Sequence, residues 1–395
     1  MSEVVITAAR RTPIGRFLGG FAEVPATVLG TSAVGAALAD AGLAPEEVDE
    51  LIYGHARMAG CGPNPARQVA HAAGIPHSVP SYTVNKACGS GLKSVILGAQ
   101  AIRLGEARVV VAGGMENMSR VPYLLERARS GYRLGHGELV DAMYRDGFMD
   151  PLSGMIMGET AEKLARRDGI SRQAQDAYAL ESHRRAGAAW EAGRFTDEVV
   201  GVRATDARRK EHLVERDEHP RLDTTHDKLG KLRPVFSSDG TVTPGNSSGI
   251  TDGAAALVLM AAEAARGSGH PILARLVAWT RVGVDPSIMG IAPVPALRAL
   301  FERTGLAPED IDLFELNEAF AAQVLSCLRE MPLDRDRLNV NGGAIALGHP
   351  IGATGARILV TLVHEMRRRR ARRGIATLCI SGGQGLALLV ERDGD

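Results

Sequence analysis

Cysteine is scarce in this chain of 395 residues: there are four, at positions 61, 88, 327 and 379. They are too few and too scattered for a secreted disulfide scaffold. None forms a Cys-x-x-Cys and no histidine stands at zinc-ligand spacing, so free thiols in a reducing compartment are expected. Net charge is also missing. Lys+Arg and Asp+Glu are both 46, which argues against a global field drawing in nucleic acid or an anionic membrane. No apolar run approaches the ~18 residues of a membrane helix. The opening stretch "MSEVVITAARRTPIGRF" lacks the basic and apolar regions of a secretory signal. A cytoplasmic protein is expected. Gly-Lys-Ser/Thr is absent, as is a GxGxxG after a strand, so a P-loop and a Rossmann dinucleotide site are set aside.

What is present is an ordinary globular composition, 45% hydrophobic and 23% charged, in a chain long enough for two or three subdomains. An internal echo organises it. "GLAPEEVDEL" at 42–51 returns as "GLAPEDIDLF" at 305–314. Each copy leads to a small-residue loop opening a helical pattern, "ACGSGLKS" and then "ALGHPIGATGARIL". Each then reaches a strand-like run near glycines, "VVVAGGM" and "TLCISGGQG". Strands alternating with long helices predict two similar α/β halves built on largely buried sheets. Residues 1–119 with 245–268 form the first half, 269–395 the second, and 120–244 an inserted loop domain. Within the insertion, 171–193 reads as a helix for packing or assembly, with Ser171 as N-cap and Gly193 as stop.

Cys88 precedes apolar residues at Leu92, Val95, Ile96, Ala99 and Ile102, which is helical spacing. At a helix start, unpaired N–H groups and the macrodipole are expected to lower a thiol's pKa and to hold a developing oxyanion. Gly89 and Gly91 are expected to leave room for substrate. Cysteine is equally a common small buried residue near a tight turn. His349, in the glycine-rich 339–355 loop, suits a base or an oxyanion donor. Cys379 ends a strand beside Ser381, Gly382 and Gly383. Asn317 stands at a predicted helix start, where capping is its ordinary role. Taken singly, each of these residues admits a structural reading as well.

Together, "RTPIGRFLGG", "NKACGSGLKS", "GETAEKLA", "KLRPVF", "GTVTPGNSSGITDGAAAL", "ELNEAFAAQ", "NGGAIALGHPIGATGARI" and "LCISGGQG" resemble the thiolases, acyltransferases that make or cleave 3-ketoacyl-CoA, over nearly the whole chain. The resemblance implies a duplicated α/β fold with a layered α-β-α-β-α core. It implies Cys88 as the acylated nucleophile, His349 as its base and Asn317 as the holder of an oxyanion-hole water. Cys379 would be the acid/base at the α-carbon, and the backbone N–H groups of Cys88 and Ser381 would form a second oxyanion hole. It implies coenzyme A and acetyl-CoA as substrates with no permanently bound cofactor. Ser248 would meet pantetheine, Arg221 and Phe236 the adenine region, and Met157 and Met289 the acyl pocket. A homotetramer or homodimer is implied too. Acetyl-CoA C-acetyltransferase is the main reading, with longer-chain 3-ketoacyl-CoA and 3-oxoadipyl-CoA thiolases as its neighbours. Two positions depart from the pattern: Ser381 replaces a frequent glycine, and Ile156 replaces the histidine before Met-Gly in short-chain biosynthetic relatives.

Other classes remain to be weighed. "RRRRARR" (367–373) is dense enough to raise nucleic-acid binding, although cations at a helix C-terminus favour the dipole. A ketoacyl-synthase-type condensing enzyme would use two histidines with its cysteine. A redox pair of Cys88 and Cys379 is the third idea.

Overall fold

The computed structural model describes residues 2–392. Its principal elements run β1 (Val4–Arg11), α1 (Ala26–Ala41), β2 (Glu50–Gly54), α2 (Pro65–Ala72), β3 (Ser81–Val84), α3 (Ser90–Leu104) and β4 (Val109–Asn117). The insertion supplies α4 (Met157–Asp168) and α5 (Arg172–Glu191) before β5 (Thr251–Ala261) returns to the first half. The second half runs β6 (Ala274–Gly283), α6 (Pro293–Thr304), β7 (Leu313–Leu316), α7 (Ala321–Glu330), α8 (Ala344–Leu347), α9 (Ile351–Arg369), β8 (Arg373–Ile380) and β9 (Gln384–Glu391).

These strands form a ten-stranded mixed sheet ordered β7-β8-β9-β6-β1-β5-β4-β2-β3, with Gly15–Arg16 added on β5. The order mirrors itself about the β1–β6 junction. From β1 outward come β5, β4 and β2, and from β6 outward β9, β8 and β7. Both series begin antiparallel and end parallel. The junction itself is short, pairing Val4–Ile6 with Ala274–Leu276. β4 is buried at every position and β5 at nearly every one, which is why both read as continuous small and apolar runs rather than alternating ones.

The sheet wraps around α3 and α9. One apolar cluster joins Leu92 and Val95 of α3, Leu359 and Leu362 of α9, Val110 and Leu257 of the first half, and Leu378 and Leu388 of the second. Outside the first half, Val34, Leu38 and Val69 cover Val111 and Val258. Outside the second, Leu297, Leu300 and Val324 cover Phe314, Ile375 and Leu389. Helix, sheet, helices, sheet, helix is therefore the layering, the duplicated α/β fold the motifs imply.

At the centre the backbones nearly touch, and glycine is what lets them. A Cβ on Gly91 would lie 2.7 Å from Ala356 N, on Gly355 2.4 Å from Leu92 N, on Gly114 2.1 Å from Gly352 O, and on Gly54 2.7 Å from Gly91 N. Side-chain carbons do not approach backbone atoms so closely. The glycines around Cys88 and His349 thus serve helix contact. Gly89 is no exception, since its missing Cβ is replaced by Ile380 Cδ1 at 2.5 Å rather than by space for substrate.

The insertion is tied to β1 by charge. Arg11, fully buried, donates to Glu198 at 2.6 Å and to both oxygens of Asp217 at 2.7 and 3.0 Å. Asp217 also accepts from Ile14 N and Trp190 Nε1. α5 starts where predicted, with Ser171 Oγ accepting from Ala174 N at 3.2 Å, and Gly193 follows it at φ 66°. Its inner face presents Tyr178 and Ser182 to Glu318. In the arginine-rich segment, Arg368 and Arg369 pair with Glu365, and Arg372 and Arg373 with Glu391, so four of its cations already serve the fold. Among the described residues no helix is long and apolar enough to cross a membrane.

Gly114→Ala is expected to lose about 3 kcal/mol, the upper range for overpacking. Gly35→Ala, on the exposed face of α1 with nothing within 4 Å of its missing Cβ, is expected to gain about 0.5–1 kcal/mol. Urea unfolding midpoints of the two variants check both signs.

Candidate active site

Cys88 stands just ahead of α3, whose first residue is Ser90. The turn before it is forced: Ala87 lies in the left-handed region at φ 43°, where an alanine costs about 1 kcal/mol. Asn85 Oδ1 accepts from Ala87 N at 3.0 Å. Ser90 Oγ accepts from Lys86 N at 2.9 Å and donates to Ala87 O at 2.6 Å. These bonds hold the strained turn and so fix where the thiol sits. Its sulfur faces the backbone N–H of Ser381 as well as its own.

His349 stands ahead of α9 in the corresponding place. Its ring is buried, with Nδ1 2.6 Å from Thr354 Oγ1. The single hydrogen of that hydroxyl goes to Pro350 O at 3.0 Å, so the network assigns the imidazole proton to Nδ1 and leaves the Nε2 lone pair free. Both residues line one cavity of about 620 Å³, together with Ser381, Met157, Met289 and Ile156.

The remaining predicted residues divide between wall and backing. Arg221, Phe236 and Ser248 lie on the wall. Phe236 meets Phe320 edge-on at 6.2 Å and lies over Gly158, where a Cβ would sit 2.3 Å from its ring. Cys379 and Asn317 are off the wall and buried. Cys379 packs directly behind it, in a cluster with Met157, Phe236, Met289, Ala319 and Phe320. Asn317 follows β7, its backbone N–H bonded to Thr377 O at 3.0 Å. It caps no helix, because α7 begins at Ala321 behind Phe320. Neither polar atom of its amide has a partner among the described residues. A buried amide left so is costly unless something polar meets it, and it is free to hold a water. Ser381 needs no glycine, for the left-handed turns fall at Gly382 (φ 80°) and Gly383 (φ 75°).

The electrostatics correct one expectation. Burial pushes the Cys88 thiol above its usual range, against the opposing pull of Arg57 and the N–H groups of Ser381 and Cys88. Burial likewise drives His349 down to about 3, helped by Arg357 and Arg57. Cys379 is raised well above the usual thiol range by burial and by the nearby Cys88 and Cys327. Both shifts favour a neutral thiol and a neutral imidazole over an ion pair in the free enzyme. The helix terminus is real, but it is outweighed by the loss of solvent.

Sequence reasoning missed Glu116, Arg57 and His219. Glu116, at the end of β4, accepts from Gly352 N of α9 at 2.9 Å and from Ala56 N and Arg57 N at 3.2 and 3.1 Å, with His55 Nε2 3.1 Å away. It thereby pins the segment after β2 to the start of the helix that follows His349. The echo held the signal. The offset that carries Gly42 to Gly305 carries Arg57 to Phe320 and Glu116 to Cys379, and Phe320 is on the cavity wall. His219 joins Arg221 at the edge shared with a smaller cavity of about 210 Å³ that also contains His183 and Lys228.

Comparison with known proteins decides the family. Residues 4–263 match the model of the thiolase N-terminal domain and residues 270–392 that of the thiolase C-terminal domain. The chain belongs to the thiolase family. This thiolase is 52% identical over 393 residues to an acetyl-CoA acetyltransferase of Pseudomonas aeruginosa, covering 100% of both chains. Among solved structures it is similar to the Bacillus anthracis acetyl-CoA acetyltransferase, at TM-score 0.97 and 48% identity over 99% of both chains. It is also similar to human mitochondrial 3-ketoacyl-CoA thiolase in complex with CoA, at TM-score 0.96 and 42% identity over 99% of this chain and 98% of that one.

Because its pKa is raised, Cys88 is expected to alkylate with iodoacetamide at a rate that keeps climbing above pH 9 in the free enzyme. A plateau below pH 8 would instead mark a resting thiolate–imidazolium pair.

Proposed function

We propose that this thiolase is an acetyl-CoA C-acetyltransferase working through an acetyl-Cys88 intermediate. The observation that carries the reading is the opening of Cys88 and His349 on one cavity, with the Ser381 N–H directed at the sulfur. In the first half-reaction the Cys88 sulfur attacks the thioester carbonyl of acetyl-CoA as His349 Nε2 takes its proton. The oxyanion is met by His349 and by a water held on Asn317, and collapse returns the proton to the departing CoA sulfur.

In the second half-reaction Cys379, acting in its thiolate form, removes an α-proton from another acetyl-CoA and later passes that proton to the departing Cys88 sulfur. The resulting carbanion attacks the acetyl carbonyl on Cys88, with the N–H groups of Cys88 and Ser381 receiving the oxyanion. Expulsion of the Cys88 sulfur yields acetoacetyl-CoA. Thiolytic cleavage is the same path reversed. Thiol-to-thiol transfer keeps the acyl group activated throughout, which is why one sulfur serves as nucleophile and leaving group.

Coenzyme A enters across Ser248, Arg221 and Phe236. The support is their place on the cavity wall, the cations Arg16 and Arg221 that share it, Lys228 in the smaller adjoining cavity, and the similar human thiolase solved with CoA. Met157, Met289 and Ile156 line the acyl end; Ile156 contributes no imidazole there, so acetyl specificity rests on pocket size. Homo-oligomerisation, as tetramer or dimer, is supported by apolar side chains left exposed in the insertion, among them Tyr123, Leu134, Leu139 and Leu152. Four free thiols are in keeping with a cytoplasmic setting.

Intact-mass spectrometry after brief exposure to acetyl-CoA is expected to give one acetyl adduct, on Cys88 and absent in Cys88→Ala. An unmodified mass in the wild type would refute the mechanism. Asn317→Ala is expected to slow that acylation by about a hundredfold, the effect of removing one oxyanion donor. The fold should be little affected, because the amide supports no other side chain.

A further inference from the structure

Arg357, in the second turn of α9, is a core cation that the reaction above does not employ. It is 1% exposed, and Nε, Nη1 and Nη2 all lack a hydrogen-bond partner among the described residues. It faces Glu315 of β7 with 3.6 Å between Nη1 and Oε2, an ion pair too long for a hydrogen bond. Two further acids that feel its charge are occupied: Glu198 by Arg11 and Thr361, Glu318 by Tyr178, Ser182, Asn339 and the Ile345 N–H. Burial pushes Glu315 up to about 8 in spite of Arg357, so the pair does not by itself replace the solvent its members have lost.

A guanidinium enclosed without hydrogen bonds is too costly to persist, and polar groups so placed are met by buried water. The strand shows where that water leads. Phe314 and Leu316 of β7 turn into the apolar layer formed with α6 and α7, so Glu315 and Asn317, two residues apart, take the opposite face, toward α9. Asn317 brings the second unpartnered group to that face, and His349, just ahead of α9, also feels the charge of Arg357. A guanidinium can only donate, whereas an amide both accepts and donates. Water between them must therefore accept from Arg357 and donate to Asn317 Oδ1, which leaves Asn317 Nδ2 to donate to the water of the oxyanion hole.

We propose that Arg357 is a positioning residue for the oxyanion hole, joined to Asn317 by buried water, so that a chain of donors pointing one way runs from the guanidinium through the amide to the water that meets the oxyanion. The proposal rests on the thiolase reading and extends the same site into the core behind it. The chain fixes which way round the Asn317 amide stands. It also sets a cation at one end and the developing oxyanion at the other, so that each hydrogen bond polarises the next.

A crystal structure of the wild type, at a resolution that shows ordered water, is expected to place water on the Arg357 guanidinium and to continue it to Asn317 Oδ1. Protein atoms alone around the guanidinium, or water that stops short of the amide, would overturn the proposal. The kinetic test removes the pair as a whole, Arg357→Met with Glu315→Gln, since a buried ion pair exchanged for neutral groups of similar size generally leaves a fold stable. Rapid-quench acetylation of Cys88 should slow about tenfold, the size of one hydrogen bond to a charged group, at an unchanged half-saturating concentration of acetyl-CoA. In an Asn317→Ala background the same two substitutions should slow it by no more than about twofold, because the chain is already cut. A wild-type rate in the double variant, or equal slowing in both backgrounds, would refute the role. Should the variant fold poorly, the water positions decide. They need no turnover, so wild-type acetylation of Cys88 in the same series keeps failure of this inference separate from failure of the thiolase chemistry.

Discussion

Contact between two backbones underlies the rest of the structure. α3 and α9 come from different halves of the duplicated chain, and they approach until Gly91 faces Ala356 and Gly355 faces Leu92. Gly54 and Gly114 extend the seam into β2 and β4. Because the two helices enter the core side by side, the residues just ahead of them, Cys88 and His349, emerge at one place. The convergence of thiol and imidazole is thus a consequence of glycine packing within the first two turns of the helices that follow them. Glu116 completes it by binding the Gly352 N–H that α9 leaves unpaired at its start.

Duplication supplied two equivalent frames, and the site is built from what differs between them. Gly54 ends β2 without a side chain, while Asn317 at the matching position holds an unpartnered amide. Arg57 matches Phe320. Glu116, a carboxylate tied into backbone N–H groups, matches Cys379, a thiol packed against methionine and phenylalanine. One half keeps polar clamps where the other keeps reactive or apolar groups. A symmetric pair of halves would place two like functions face to face; the reaction needs a nucleophile with one set of partners and a base with another.

The sequence disclosed much of this. The echo at 42–51 and 305–314 contained the mirrored sheet order, and the apolar spacing after Cys88 located α3. The motifs named Cys88, His349 and Ser381 on the cavity wall and Cys379 just behind it, but neither Arg57 nor His219. What it concealed depended on burial. The glycines beside Cys88 read as room for substrate, and only coordinates show Ile380 and Ala356 filling that room. Arg57 lies six residues beyond the repeated decapeptide, in a stretch with no motif of its own, and its significance comes from the charge it brings to Cys88 and His349. The thiol pKa ran opposite to the local rule because a helix terminus acts over one turn, whereas desolvation counts every neighbour.

That reversal bears on how the chemistry starts. A resting thiolate beside an imidazolium would be stabilised before substrate arrived, and part of that stabilisation would have to be surrendered on attack. With Cys88 held above its usual range and His349 held near 3, both groups remain neutral until a carbonyl is present. In the proposed acylation, charge then appears together on the substrate oxygen and the imidazole, and the unpartnered Asn317 amide offers the oxyanion a bound water. The enclosure that penalises separated charge in the free enzyme strengthens those same hydrogen bonds during the reaction, so it favours the transition state over the ground state.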